Sequence, residues 1–80
     1  MKSAESISQW LTNYLSNALE LDPSDIDPET HLTEYGIDST SAVGLSGDLS
    51  RWLGVELKDS VAFEHPTIAA LSQHACSQQE

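Results

Sequence analysis

The apolar positions of this chain fall into stretches of helical period separated by polar, turn-rich segments. Ile7, Trp10, Leu11, Tyr14, Leu15, Ala18 and Leu19 recur at the i, i+3, i+4, i+7 spacing that gathers residues on one buried helix face. Ser6 followed by Gln9 has the form of a capping box, Ser3 offers an earlier start, and Pro23 lies beyond the end. The period resumes at Ser39, with Ala42, Leu45, Leu49, Trp52 and Leu53 on one face and Gly54 placed to end the helix in a left-handed conformation. Val55 and Leu57 read as an extended segment, after which Asp59 or Ser60 can cap a short helix through Val61, Ala62 and Phe63. His65-Pro66-Thr67 breaks the chain again, and Thr67 is the expected N-cap of a last helix carrying Ile68, Ala69, Ala70, Leu71 and Ala75. The tail Ser77-Gln78-Gln79-Glu80 is expected to fray.

Residues 20–38 form a long connection marked by Asp22-Pro23, Asp27-Pro28 and Gly36. A loop of that length needs anchors in a compact domain, and Ile26, Leu32 and Ile37 supply them. The predicted fold is all-α. It is a small antiparallel four-helix bundle with three longer helices, one short helix and a long first loop, formed by residues 1–80 as a single domain.

Charge narrows the partners. Thirteen acidic residues face three basic ones, for a formal net charge of -10, so phosphate backbones and anionic lipid surfaces are repelled. Nucleic acid and membranes are therefore not expected partners; a basic enzyme face is, although acidity also serves plain solubility. Cys76 is the only cysteine, so no intrachain disulfide forms and a reducing compartment fits. No apolar run approaches a membrane span, and no secretion signal opens the chain. A soluble, cytoplasmic monomer is expected.

Candidate chemistry centres on Ser39, in the run Tyr35-Gly36-Ile37-Asp38-Ser39-Thr40. A serine at a helix start presents its hydroxyl where backbone N–H groups and the helix dipole favour an anion. It can be a cap, an attachment point, or both. As a hydrolytic nucleophile it lacks the Gly-x-Ser-x-Gly context, and His31, His65 and His74 are scattered along the sequence. The histidines show no zinc spacing, and Asp22, Asp25, Asp27 and Glu29 lack the glycine and twelfth-position glutamate of a calcium loop. The face of the second helix opposite its core carries Thr40, Val43, Gly44, Gly47 and Arg51. Two glycines within a helix cost about 1 kcal/mol each relative to alanine. They are either drift at tolerant positions or a flat strip where a partner's backbone comes close.

The stretch "YGIDSTSAVGLSGDLSRWLGVEL" resembles the attachment region of the acyl carrier protein family, whose signature is Gly-x-Asp-Ser-Leu or a close variant. "VAFEHPTIAAL" looks like that family's third helix and the start of its fourth, and with the first helix the resemblance covers nearly the whole chain. It implies a carrier with no catalysis of its own. Ser39 would bear 4′-phosphopantetheine, transferred from coenzyme A by a phosphopantetheinyl transferase, and would present acyl groups as thioesters. Asp38 would help steer the transferase while serving as an Asx-turn or N-cap, and Val43 would be an apolar partner contact. Gly36-Ile37-Asp38-Ser39 resembles the polyketide and fatty-acyl type more than the Gly-Gly-x-Ser of peptidyl carriers. The run "GIDSTSAVGLSGDLSRWLG" resembles carriers loaded by acyl-adenylate ligases, so that a loading enzyme and a ketosynthase are implied partners in polyketide, fatty-acid or lipopeptide assembly. The alternatives are a peptidyl or aminoacyl carrier, or a helical interaction module in which Ser39 only caps its helix.

Two departures from the family stand out. Thr40 replaces the usual leucine, and the second helix holds a single acid, Asp48. Partners are therefore expected to read Thr40, Val43, Gly44, Gly47 and Arg51, with the acids of residues 20–38 adding long-range attraction.

Overall fold

The computed structural model describes residues 2–79. Four α-helices occur among them: α1 (Ala4–Leu19), α2 (Ser39–Leu53), α3 (Val61–Glu64) and α4 (Ile68–Ser77). One core joins them, built from Ile7, Leu11 and Leu15 of α1, Ala42, Leu45 and Leu49 of α2, Val61 and Ala62 of α3, and Ile68, Leu71 and Ala75 of α4. The small helical bundle is as expected, with local corrections.

α1 starts at Ser3 and not at the Ser6–Gln9 box. Ser6 N–H donates to Ser3 Oγ at 3.1 Å and Ile7 N–H to the Ser3 carbonyl at 3.0 Å, so the earlier cap gains an extra turn. Ala18, placed on the buried stripe by its spacing, is exposed, because the stripe narrows to Leu15 and half-buried Leu19 at the helix end.

The 20–38 connection is stitched down throughout its length. It contains two 3₁₀ turns, Pro23–Asp25 and Leu32–Tyr35, and buries Ile26 and Leu32. Leu32 N–H donates to the Pro66 carbonyl at 2.8 Å and Ala69 N–H to the Pro28 carbonyl at 3.0 Å, which ties the loop to the entry of α4. Its acids build turns: Asp22 Oδ1 accepts from Ser24 N–H at 2.9 Å, and Asp27 Oδ1 from Glu29 N–H at 2.8 Å.

Large side chains bridge α1 and α2. Trp10 stacks on Trp52 with ring centroids 5.1 Å apart, and Tyr14 Oη donates to Asp48 Oδ2 at 2.6 Å. Gly54 ends α2 at φ 73°, a conformation that favours glycine, and Thr67 caps α4 by accepting from Ala70 N–H at 3.1 Å.

The tail is docked and does not fray as far as Gln79; Glu80 lies outside the described residues. Gln79 is buried, its Oε1 accepting from Lys2 N–H at 2.8 Å and its Nε2 donating to the Lys2 carbonyl at 2.6 Å. One side-chain amide thus pairs with both backbone polar groups of Lys2, which a polar tail composition does not reveal.

Candidate functional site at the start of the second helix

The 3₁₀ turn ends at Gly36, whose φ of 84° turns the chain toward α2. Ile37 packs against the core and fixes the height of the following residues. Asp38 is extended and its Oδ1 accepts the Ser41 N–H at 2.8 Å, so the N-cap is Asp38. Ser39 is the first helical residue. Of the two candidates for the cap, Asp38 takes it and Ser39 does not: a carboxylate holds the amide with a charge-assisted bond and complements the dipole. That hydrogen bond holds the Asp38 carboxyl below its ordinary 3.8, outweighing a small opposing effect of desolvation.

Relieved of capping, Ser39 is exposed, and among the described residues its hydroxyl makes no hydrogen bond. It opens onto a shallow groove of about 280 Å³ lined with Thr40 and Val43. A smaller, more enclosed apolar cavity of about 140 Å³ lies between the loop, α2 and α3, lined by Leu32, Ile37, Ala42, Ala62, Phe63 and Pro66 among others. An open primary hydroxyl beside a groove is what a phosphodiester link on this oxygen requires, and the residues present fit the group. The groove's lining of Ser39, Thr40 and Val43 includes no imidazole.

The residues expected to meet partners lie along α2. Thr40, Gly44 and Arg51 are exposed, Val43 is 43% exposed, and Gly47 is half-buried. A Cβ at Gly44 would meet nothing within 4 Å, and one at Gly47 only Arg51 Nη1 at 3.9 Å. The fold therefore does not demand glycine at either position. Asp48, the helix's one acid, is bonded to Arg51 and Tyr14, so the strip offers no free carboxylate.

Sequence reasoning missed two features. Phe63, placed in the short helix without a role, is 51% exposed at the cavity's rim. A helix of one turn cannot bury every side of a Val-Ala-Phe run, and that was the available signal. His65 and His74, separate along the sequence, stack with ring centroids 4.0 Å apart. The break at Pro66 folds them together, and no spacing rule anticipates it.

Residues 9–75 match the family model described as "Phosphopantetheine attachment site". The chain belongs to that family. Its members carry a covalently attached 4′-phosphopantetheine, and the protein is a carrier, not an enzyme. It is 41% identical over 71 residues to the acyl carrier protein TtuC of Teredinibacter turnerae, covering 89% of this chain and 82% of that protein. It is 45% identical over 69 residues to the spectinabilin polyketide synthase system protein NorC of Streptomyces orinoci, covering 85% of this chain but only 3% of that protein. A free-standing peptidyl carrier protein from an Acinetobacter baumannii secondary metabolic pathway superposes with a TM-score of 0.90 at 30% identity, covering 100% of both chains. The carrier thus shares its fold with free-standing proteins and its sequence with segments of large synthases. Carriers in polyketide synthases work with ketosynthases and other acyl-processing enzymes. No helix among the described residues is long and apolar enough to cross a membrane.

Proposed function

We propose that Ser39 is the attachment point of the 4′-phosphopantetheine arm, and that residues 1–80 are one carrier domain holding acyl intermediates of polyketide, fatty-acid or lipopeptide assembly. The observation that carries this reading is the division of labour at the helix start. Asp38 takes the cap, and the neighbouring hydroxyl is left exposed beside its groove. The arm supplies a terminal thiol that holds cargo as a reactive thioester. The chain's own residues do the rest. Ser39 anchors, Asp38 fixes the helix start for the transferase to recognise, and a rigid bundle keeps the cargo at high effective concentration near each partner.

Thr40, Val43, Gly44, Gly47 and Arg51 form the docking strip on this reading. The partners are a phosphopantetheinyl transferase, an acyl-loading enzyme of the acyl-adenylate ligase type and a ketosynthase, met by a cytoplasmic monomer. Acyl cargo is favoured by the apolar cavity lined by Ile37 and Ala42, residues that flank Ser39 in sequence; its 140 Å³ lies below the roughly 300 Å³ at which ligand pockets begin. Such a space shelters only a short apolar segment. Aminoacyl or peptidyl cargo is the second reading, favoured by the superposition on a peptidyl carrier.

The test is to treat the protein with coenzyme A, magnesium and a broad-specificity transferase, then charge it with an acyl-adenylate ligase or an amino-acid-activating enzyme. The reading expects one phosphopantetheinyl group per chain, none on Ser39→Ala, and hydroxylamine-labile acyl loading. Preferential aminoacyl loading would move the assignment to the second reading. Failure of any modification, beside a control carrier that is modified, would overturn both.

A further inference from the structure

α3 is a single turn with weak local support. The residue before it, Ser60, makes no side-chain cap bond, and its closing residue His65 leaves helical geometry at φ -129°, ψ 81°. Its attachment comes from Val61 and Ala62, which are buried, and from the imidazole at its end. His65 lies on His74 of α4 with centroids 4.0 Å apart and planes within 18°, both rings half-buried. The same short helix contributes Ala62 and Phe63 to the wall of the apolar cavity between the loop, α2 and α3.

We propose that the stacked His65–His74 pair is a proton-operated latch that holds the C-terminal end of α3 to α4 when the rings are neutral and releases that junction in mild acid. Two neutral imidazoles stack without penalty, whereas two imidazolium rings at this separation repel each other. Burial of His74 resists its protonation, and a charge on His65 resists it further; Lys58 acts in the same direction and Glu64 against it. The balance lowers His74 from its ordinary 6.5, so the closed form is secure at neutral pH and strained as the second proton arrives. Release loosens the last turn of α3, where exposed Phe63 borders the cavity, while Val61 and Ala62 stay in the core. The device stands independently of which residue bears the arm.

The readout is amide hydrogen exchange in α3. Phe63 N–H and Glu64 N–H donate to the Ser60 carbonyl at 2.9 and 3.1 Å, and His65 N–H to the Val61 carbonyl at 3.0 Å. After correction for intrinsic exchange, protection of these amides should fall about fivefold or more between about pH 7.5 and about pH 5.5, with α1 amides unchanged. His74→Phe and His65→Phe keep an aromatic stack but remove a proton site, so either should flatten that dependence. Unchanged protection in the native chain, or an undiminished fall in both variants, would overturn the latch. Should the variants fail to fold, NMR titration of the native rings decides. Coupled titration with His74 below 6.5 supports the latch, and independent titration at ordinary values refutes it.

Discussion

Gly47→Glu separates docking from folding, because the two respond in opposite directions. A Cβ at this position meets only Arg51 Nη1, at 3.9 Å, so the helix backbone accepts a side chain there without displacement. Replacing a mid-helix glycine with a good helix former contributes about 0.5 kcal/mol. A glutamate four residues before Arg51 contributes about 0.3 kcal/mol, less where Arg51 remains with Asp48. Self-repulsion in a chain of net charge -10 offsets part of this. The net is a gain of about 0.5 kcal/mol, or a rise in Tm of about 2–4 °C in circular-dichroism melting. Acyl transfer with a cognate partner should fall nonetheless, by about tenfold, corresponding to about 1.4 kcal/mol of lost docking energy. Raising salt from about 0.1 M to about 1 M shortens the screening length from about 10 to about 3 Å and should weaken transfer less than the substitution does. A variant that transfers normally, beside a native chain that fails in salt, would refute the close-approach strip and put the loop acids in its place.

Leu49→Ala should lose about 2–5 kcal/mol in urea unfolding, since Leu49 of α2 is fully buried in the core. Against the roughly 4–12 kcal/mol available to a chain of this length, a loss under about 1 kcal/mol would mean that α2 is not packed as described. The Asp38 cap has a sign set by its lowered carboxyl: its contribution is full above the ordinary 3.8 and is lost as pH falls through the lower folded value. Carboxyl NMR titration should find Asp38 below 3.8, and a value at or above it would contradict the cap. Gln79→Ala should speed hydrogen exchange at the Lys2 amide and leave α2 protection unchanged; slow exchange retained at Lys2 would show that the terminal clasp does not depend on this side chain.

The helices were legible because each carries its own period and its own punctuation. Leu45, Leu49 and Gly54 define α2 without any tertiary information, and Thr67 after Pro66 marks the entry to α4. Competition between two plausible caps was not legible. Ser3 against Ser6, and Asp38 against Ser39, are settled by which amide each side chain reaches once the flanking turn has formed. Contacts distant in sequence were hidden altogether. The Gln79–Lys2 clasp, the Tyr14–Asp48 bond and the His65–His74 stack all join residues whose local patterns say nothing of each other. At the site, the period and the turn residues put Ser39 at a helix start, where the structure has it exposed, while Phe63 and the cavity it borders needed α3 to be set against α2.

The division of roles between Asp38 and Ser39 is the central claim, and site-level mass spectrometry of the transferase-treated protein tests it most directly. Ser39, Thr40 and Ser41 offer three adjacent hydroxyls at the helix start. Fragmentation of the peptide that spans them should place the phosphopantetheinyl group on Ser39 alone, with Asp38→Asn still modified at that same oxygen. Placement on Thr40 or Ser41, or an unmodified peptide from a preparation in which a control carrier is fully converted, would contradict it.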